Sequence, residues 1–181
     1  TRIFLISFGC SMVINTLDGD AIYLAKIETK YWIEYICKRF ENTGKHISPE
    51  LAEEICRLVD NHSSYVQQLS WLLWIRTINT ATTEQLSYAL EDLLDQNNIL
   101  FQSETENLSA YQMNFLKAIV DGIHTKFSSK EVISKYNLGT SANIVRLKNA
   151  LLQKELIETN GKEIVLADPV FGVWFKKEML Y

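Results

Sequence analysis

The sequence predicts a mainly α-helical chain: a helical bundle first, then a smaller unit of three helices followed by a β-hairpin. Three observations predict it. Only 2 prolines and 7 glycines occur in 181 residues that are 47% hydrophobic, so a core is available and turn formers are too scarce for a β-sandwich. Helix-capping signals recur just before runs with helical periodicity. Near the end, Asn160-Gly161 separates two short strand-like runs.

Residues 2–8 read as a short apolar strand of the kind buried in a parallel sheet. Residues 21–27 read as a second strand, after an Asp18-Gly19 turn. Two strands make no stable sheet alone. They predict a sheet completed by other strands, and an isolated chain would self-associate through their open edges. The chain opens at Thr1, directly on a strand-like run, which predicts a piece of a longer protein.

Thr29 is placed to cap a helix running to about Thr43, with Trp32, Ile33, Ile36, Cys37 and Phe40 on one face and Gly44 at its end. Ser48-Pro49 starts the next, serine as N-cap and proline first in the helix. Its apolar positions are Leu51, Ile55, Leu58 and Val59. Asn61 or Ser63 opens a third helix, with Val66, Leu69, Leu72, Leu73 and Ile75. Its run Trp71-Leu72-Leu73-Trp74 is apolar nearly all round, which predicts burial between elements or against a domain outside this sequence. Thr82-Thr83-Glu84-Gln85 is a capping box for a fourth, which buries Leu86, Ala89, Leu90 and Leu93. Residues 96–107 are polar apart from Ile99, Leu100 and Phe101 and are read as holding the linker.

Ser109-Ala110-Tyr111-Gln112 is a capping box with Leu108 and Met113 as staple, and that helix presents Met113, Leu116, Ile119, Val120 and Ile123. Ser128-Ser129-Lys130-Glu131 is read as another, stapled by Phe127 and Val132, before a short helix that ends near Tyr136. Asn137-Leu138-Gly139 is a tight turn. Thr140 or Ser141 caps a third helix with Ile144, Leu147, Leu151 and Leu152 inward. Asn160-Gly161 favours a type I′ hairpin. Asp168-Pro169 ends the second strand, and a last amphipathic helix follows to Met179. Three helices with a short turn between the second and third, then a hairpin, is the order of a winged helix-turn-helix.

Charge changes sign along the chain. Residues 1–108 carry 8 basic and 15 acidic side chains, residues 109–181 carry 10 and 7. A mildly basic second unit permits contact with nucleic acid without demanding it. Cys10, Cys37 and Cys56 form no CxxC pair, so they read as reduced thiols of a cytoplasmic protein. No apolar run approaches a membrane span, and the N-terminus lacks the pattern of a signal peptide.

No GxxxxGK[ST], HExxH or GxSxG motif occurs in this sequence. Any machinery for nucleotide hydrolysis must lie outside it. His46, His62 and His124 are far apart, and no metal site is expected. The helix from Thr140 or Ser141 is more informative. Asn143, Arg146, Asn149 or Ala150, and Gln153 recur on the face opposite its leucines, where Asn and Gln could read adenine and Arg guanine. The plainer alternative is a solvated face or a protein-docking surface, because Arg146 and Lys148 are a thin cationic footprint for DNA.

Several segments together resemble a known family. Lys30-Tyr31-Trp32-Ile33-Glu34-Tyr35-Ile36, Ala52-Glu53-Glu54-Ile55-Cys56 and Asn61-His62-Ser63-Ser64-Tyr65-Val66-Gln67-Gln68-Leu69 resemble the helical lid of prokaryotic AAA-like ATPases of the STAND class, the archaeal-type ATPase family. Gly139-Thr140-Ser141-Ala142-Asn143 and Asp168-Pro169-Val170-Phe171 with Trp174 resemble its winged helix. The resemblance implies a strand remnant of an α/β ATPase core over residues 1–27, a lid over 28–103 and a winged helix over 108–181. It implies that ATP and Mg are bound through an N-terminal ATPase domain, which would be the chain's first partner, with DNA or an effector protein as the second. Ser7, Gly9 and Ser11 would then lie near the phosphates. The family carries an adenine-packing proline where this chain has Ser63, and His62 and Tyr65 remain to line the site. Thr140, Ser141, Asn143, Arg146, Asn149 and Gln153 would face DNA or a partner.

Overall fold

The computed structural model describes residues 12–15, 21–24 and 26–179. The chain divides into two compact units, Thr1–Gln96 and Asn97–Tyr181. The described part is mainly helical, with two small antiparallel sheets.

In the first unit, β1 (Met12–Asn15) pairs antiparallel with β2 (Ala21–Leu24), Met12 opposite Leu24 and Asn15 opposite Ala21. Residues 12–15 had no strand assigned from the sequence. The apolar pair Val13-Ile14 is too short to reveal periodicity. The second strand stops at Leu24 and not at residue 27: from Lys26 the chain turns to α1. The expected strand over residues 2–8 lies outside the described residues.

Helices α1 (Thr29–Glu41), α2 (Pro49–Leu58) and α3 (Ser63–Arg76) follow. Helix α1 buries Trp32, Ile36 and Phe40, the expected stripe. Thr29 is its first helical residue and not its cap, which is Glu28. The Thr29 hydroxyl donates instead to Asn61 Oδ1 at 3.2 Å. Ser48 caps α2 as expected, its hydroxyl accepting from Leu51 N–H at 3.2 Å ahead of Pro49.

Helices α1 and α3 lie side by side and parallel, because they are tied at like ends. At their starts Thr29 meets Asn61, and Lys26 Nζ meets Asp60 Oδ2 at 2.6 Å. At their other ends the Trp74 indole, in the last turn of α3, donates to Thr43 Oγ1 just past α1 at 2.9 Å. Lys45 Nζ donates to the Trp74 carbonyl at 2.6 Å and sits 4.0 Å from the centre of its ring. That ammonium occupies the negative end of the α3 dipole, where a cation is favoured. Trp71, Ile75 and Ile78 are 56%, 51% and 82% exposed. The burial expected for the α3 tryptophan run is therefore confined to Leu72 and Leu73, with Trp74 half-covered.

Helix α4 spans Thr83–Glu106. Its capping box is complete: Thr82 N–H donates to Gln85 Oε1 at 3.0 Å and Gln85 N–H to Thr82 Oγ1 at 3.3 Å. Residues 96–106, marked by their polarity as linker, are helical. Burial of Phe101 and Thr105 at helical spacing explains the continuation, and polar residues fill the other faces.

The second unit contains the end of α4, then α5 (Ala110–Val120), α6 (Lys130–Tyr136), α7 (Ser141–Gln153), β3 (Ile157–Asn160), β4 (Glu163–Leu166) and α8 (Pro169–Met179). This is the winged-helix order with an added C-terminal helix. The Ser109 capping box forms on both sides. The next box does not: Ser129, one residue later than expected, caps α6 by accepting from Val132 N–H. Phe127 is drawn inward to stack on Phe115 at 4.4 Å, which sets that register.

The hairpin also shifts. Asn160 pairs with Glu163, so Gly161 and Lys162 are the central pair. Gly161 alone takes positive φ, +60°, the signature of a II′ turn with glycine first and not of I′. The His124 carbonyl accepts from Ile164 N–H at 2.9 Å, which ties β4 to the loop after α5. Asp168 caps α8 by accepting from Val170 and Phe171 N–H. Helix α8 buries Phe171, Trp174 and Phe175. Trp174 Nε1 donates to Asn98 Oδ1 at 2.8 Å, and its ring lies 5.6 Å from Phe101.

Candidate functional site

Two places in the chain collect the residues singled out from sequence. The first is the start of α7. Asn137 adopts a left-handed conformation at φ 49° and Gly139 follows at φ +82°, so the chain reverses within three residues between α6 and α7. Thr140 is the N-cap, but its side chain makes no cap hydrogen bond. Asn143 supplies the missing tie, its Nδ2 donating to Leu138 O at 3.1 Å. That amide therefore serves the turn. Thr140, Asn143 and Arg146 share a shallow hollow of about 280 Å³ with Tyr111 from α5 and Gly139. Ser141, Asn149 and Gln153 are exposed outside it, and Val145 between them is 62% exposed. Tyr111 was not singled out from the sequence. Its place in a capping box gave it a local explanation that hid its exposure beside the turn.

Helix α7 thus offers one exposed guanidinium, Arg146, and a half-buried Lys148, and the wing tip adds Lys162 beside Glu163. That is a thin cationic footprint for contacts to a phosphate backbone. At Gly139 an added Cβ would lie 3.3 Å from Asn143 Nδ2 and 3.4 Å from the Tyr111 ring. Gly139→Ala is expected to cost about 1–2 kcal/mol through its left-handed backbone alone. Thermal denaturation would show the loss, and unchanged stability would mean the turn has relaxed.

The second place is the paired start of α1 and α3. His62 is the N-cap of α3, Ser63 its exposed first residue, and the His62 and Tyr65 rings lie 4.7 Å apart. These three candidates come together. Ser7, Gly9 and Ser11 lie outside the described residues. The His62 side chain makes no cap hydrogen bond to the first turn, where backbone N–H groups and the dipole favour an anion. On the α2 side a hollow of about 380 Å³ is lined by Glu50, Glu53 and Glu54, which disfavours anions there. Glu50 is held below the usual carboxylate range by its own backbone N–H, then by Ser48, and Glu54 by its hydrogen bond to Arg57.

Both described cysteines have thiols held toward the protonated form. Burial pushes the Cys56 thiol up to about 11, and burial with Glu41 nearby raises Cys37. Among the described residues no cluster of His, Cys, Asp or Glu could hold a metal ion. No helix there is long and apolar enough to cross a membrane.

No curated protein matches the chain. Among solved structures it is similar to one described as the Walker-type ATPase PABY2304 of Pyrococcus abyssi, with a TM-score of 0.63 at 18% identity. The likeness covers 84% of this chain and 43% of that one, so the chain spans less than half the length of the protein it resembles. Residues 99–177 match the family described as a probable winged helix domain, which agrees with the three helices and hairpin of the second unit.

Proposed function

We propose that this chain is the C-terminal regulatory part of an ATP-binding, STAND-class AAA-like ATPase, with the first unit as lid and the winged helix as a docking or autoinhibitory element. The fold likeness to a Walker-type ATPase over 84% of the chain carries this reading. ATP with Mg would be held by an N-terminal ATPase domain and would supply binding energy that differs between the triphosphate and diphosphate states. The residues present fit a sensing role. The start of α3 offers backbone donors, the Ser63 hydroxyl and the His62–Tyr65 rings, while Asp60 is tied to Lys26 and is not spare for a cation. A nucleotide moves such an equilibrium only as far as its contacts differ between the two states.

Hydrogen exchange on the full-length protein tests it. With ADP, an ATP analogue and no nucleotide, protection at residues 61–66 and across α7 is expected to differ. Identical protection in all three would sink the switch.

The exposed Arg146, Asn149 and Gln153 favour a second reading, a sequence-specific DNA-binding winged-helix regulator. Fluorescence anisotropy with duplex DNA at two salt concentrations separates the two. Saturable binding that weakens steeply with salt would support the DNA reading, and its absence leaves α7 as a protein-docking face.

A further inference from the structure

The two parallel helices of the first unit enclose a groove that neither reading above uses. It measures about 600 Å³. Ile36 and Phe40 of α1 form its floor, both buried. Its walls are Tyr35 and Arg39 on one side and Trp71 and Trp74 on the other. From Tyr35 of α1 to Thr43, just past the end of that helix, the groove runs for about 12 Å. The Trp71 wall continues past it into Ile75, also half exposed.

Its charge is unlike that of its surroundings. Acidic residues outnumber basic ones in residues 1–108, yet among the described residues no Asp or Glu lines the groove. Helix α3 contains none at all. At 100° per residue, Glu34 and Glu41 fall on the side of α1 opposite Ile36 and Arg39. Among the described residues Arg39 is the one charged side chain in the lining. It lies 5.2 Å over the Tyr35 ring and makes no ion pair among the described residues.

We propose that this groove docks an amphipathic helix of a partner protein, apolar on the face it inserts and acidic on the flank that meets Arg39. Helix-in-groove recognition takes apolar anchors at i, i+4 and i+7, and the groove's length suits two such steps. A carboxylate on the partner would complete Arg39 in the forked geometry that guanidinium prefers. The open rim and the continuing Trp71–Ile75 wall fit an extended partner better than a small ligand, which would leave both residues wet. A second copy of the chain is the rival occupant, and sedimentation reads it out separately.

The test uses the full chain and two fluorescein-labelled peptides of about 16 residues. Both carry leucine at i, i+4, i+7 and i+11. One has glutamate on the flanks, the other lysine at the same positions. The glutamate peptide is expected to bind saturably and to weaken about tenfold with either Arg39→Glu or Trp71→Ala. The lysine peptide is expected to bind poorly to the native chain and better to R39E. Both positions are exposed, and matching melting curves for native and variants show that folding is intact. The proposal is overturned if the two peptides bind alike, or if neither substitution changes the affinity of the glutamate peptide. It is equally overturned if naphthalene-2-carboxylate displaces that peptide at lower concentration than the unlabelled peptide does, or if sedimentation shows a dimer that W71A abolishes. Nucleotide plays no part in these readings, so they stand or fall apart from the switch.

Discussion

Trp174→Ala is expected to destabilise the winged-helix unit by about 3–5 kcal/mol, the range for removing a large aromatic from a closed core. Trp174 is 1% exposed and lies within 6 Å of both Phe101 and Phe171, ring centre to ring centre. Its indole N–H is spent on Asn98 Oδ1 at 2.8 Å. Alanine there opens a cavity and also strips a partly buried amide oxygen of its donor. Trp174→Phe separates the two terms, keeping most of the ring volume and losing the hydrogen bond. It is expected to cost about 1–2 kcal/mol. Urea denaturation followed by circular dichroism measures both. A loss below about 1 kcal/mol for the alanine variant would show that α8 does not hold the core together.

Raising the pH from about 9 to 11 is expected to remove roughly 2 kcal/mol from the first unit through Cys56 alone. The thiol is fully buried, and desolvation lifts it to about 11 in the fold from 9.0, with the charge of Glu53 adding to the rise. Between those values the unfolded chain has given up the proton and the folded one keeps it, so folding must take up a proton that the solution supplies less readily. The contribution is therefore complete below pH 9 and is lost as pH climbs through the folded value. Denaturant midpoints taken at about pH 8 and pH 11 in the native chain and in Cys56→Ala isolate it. Equal alkaline losses in the two would assign the effect to other groups, Cys37 among them.

Much of this architecture is legible in the sequence because its signals are local. The Ser48-Pro49 start, the Thr82 and Ser109 boxes and the Asn137-to-Gly139 turn depend on residues within four positions of each other, and each forms as expected. Errors arise where a distant partner decides. Thr29 gives up its capping role to reach Asn61, 32 residues on. Phe127 stacks on Phe115, and the α6 cap moves by one residue. Phe101 finds Phe171 and Trp174, and a stretch polar enough to be a linker stays helical. The same reason limits the candidate site. Arg146, Asn149 and Gln153 are exposed as a surface site requires, but Asn143 is engaged by Leu138, and no spacing rule reveals a backbone carbonyl as its target. The groove between α1 and α3 is invisible to periodicity, because Trp71 reads as core from its apolar run and only the packing of the two helices leaves it exposed.

The Asn98–Trp174 hydrogen bond joins residues 76 positions apart, so nearly the whole winged helix lies inside one loop. Closing a loop of that length costs only slowly growing entropy, but contacts so distant in sequence form later than local ones. The capping boxes and the hairpin of residues 157–166 can form on their own within microseconds, whereas the seating of α8 against Asn98 and Phe101 must await them. Docking of α8 is therefore the step expected to close this unit against proteolysis during refolding.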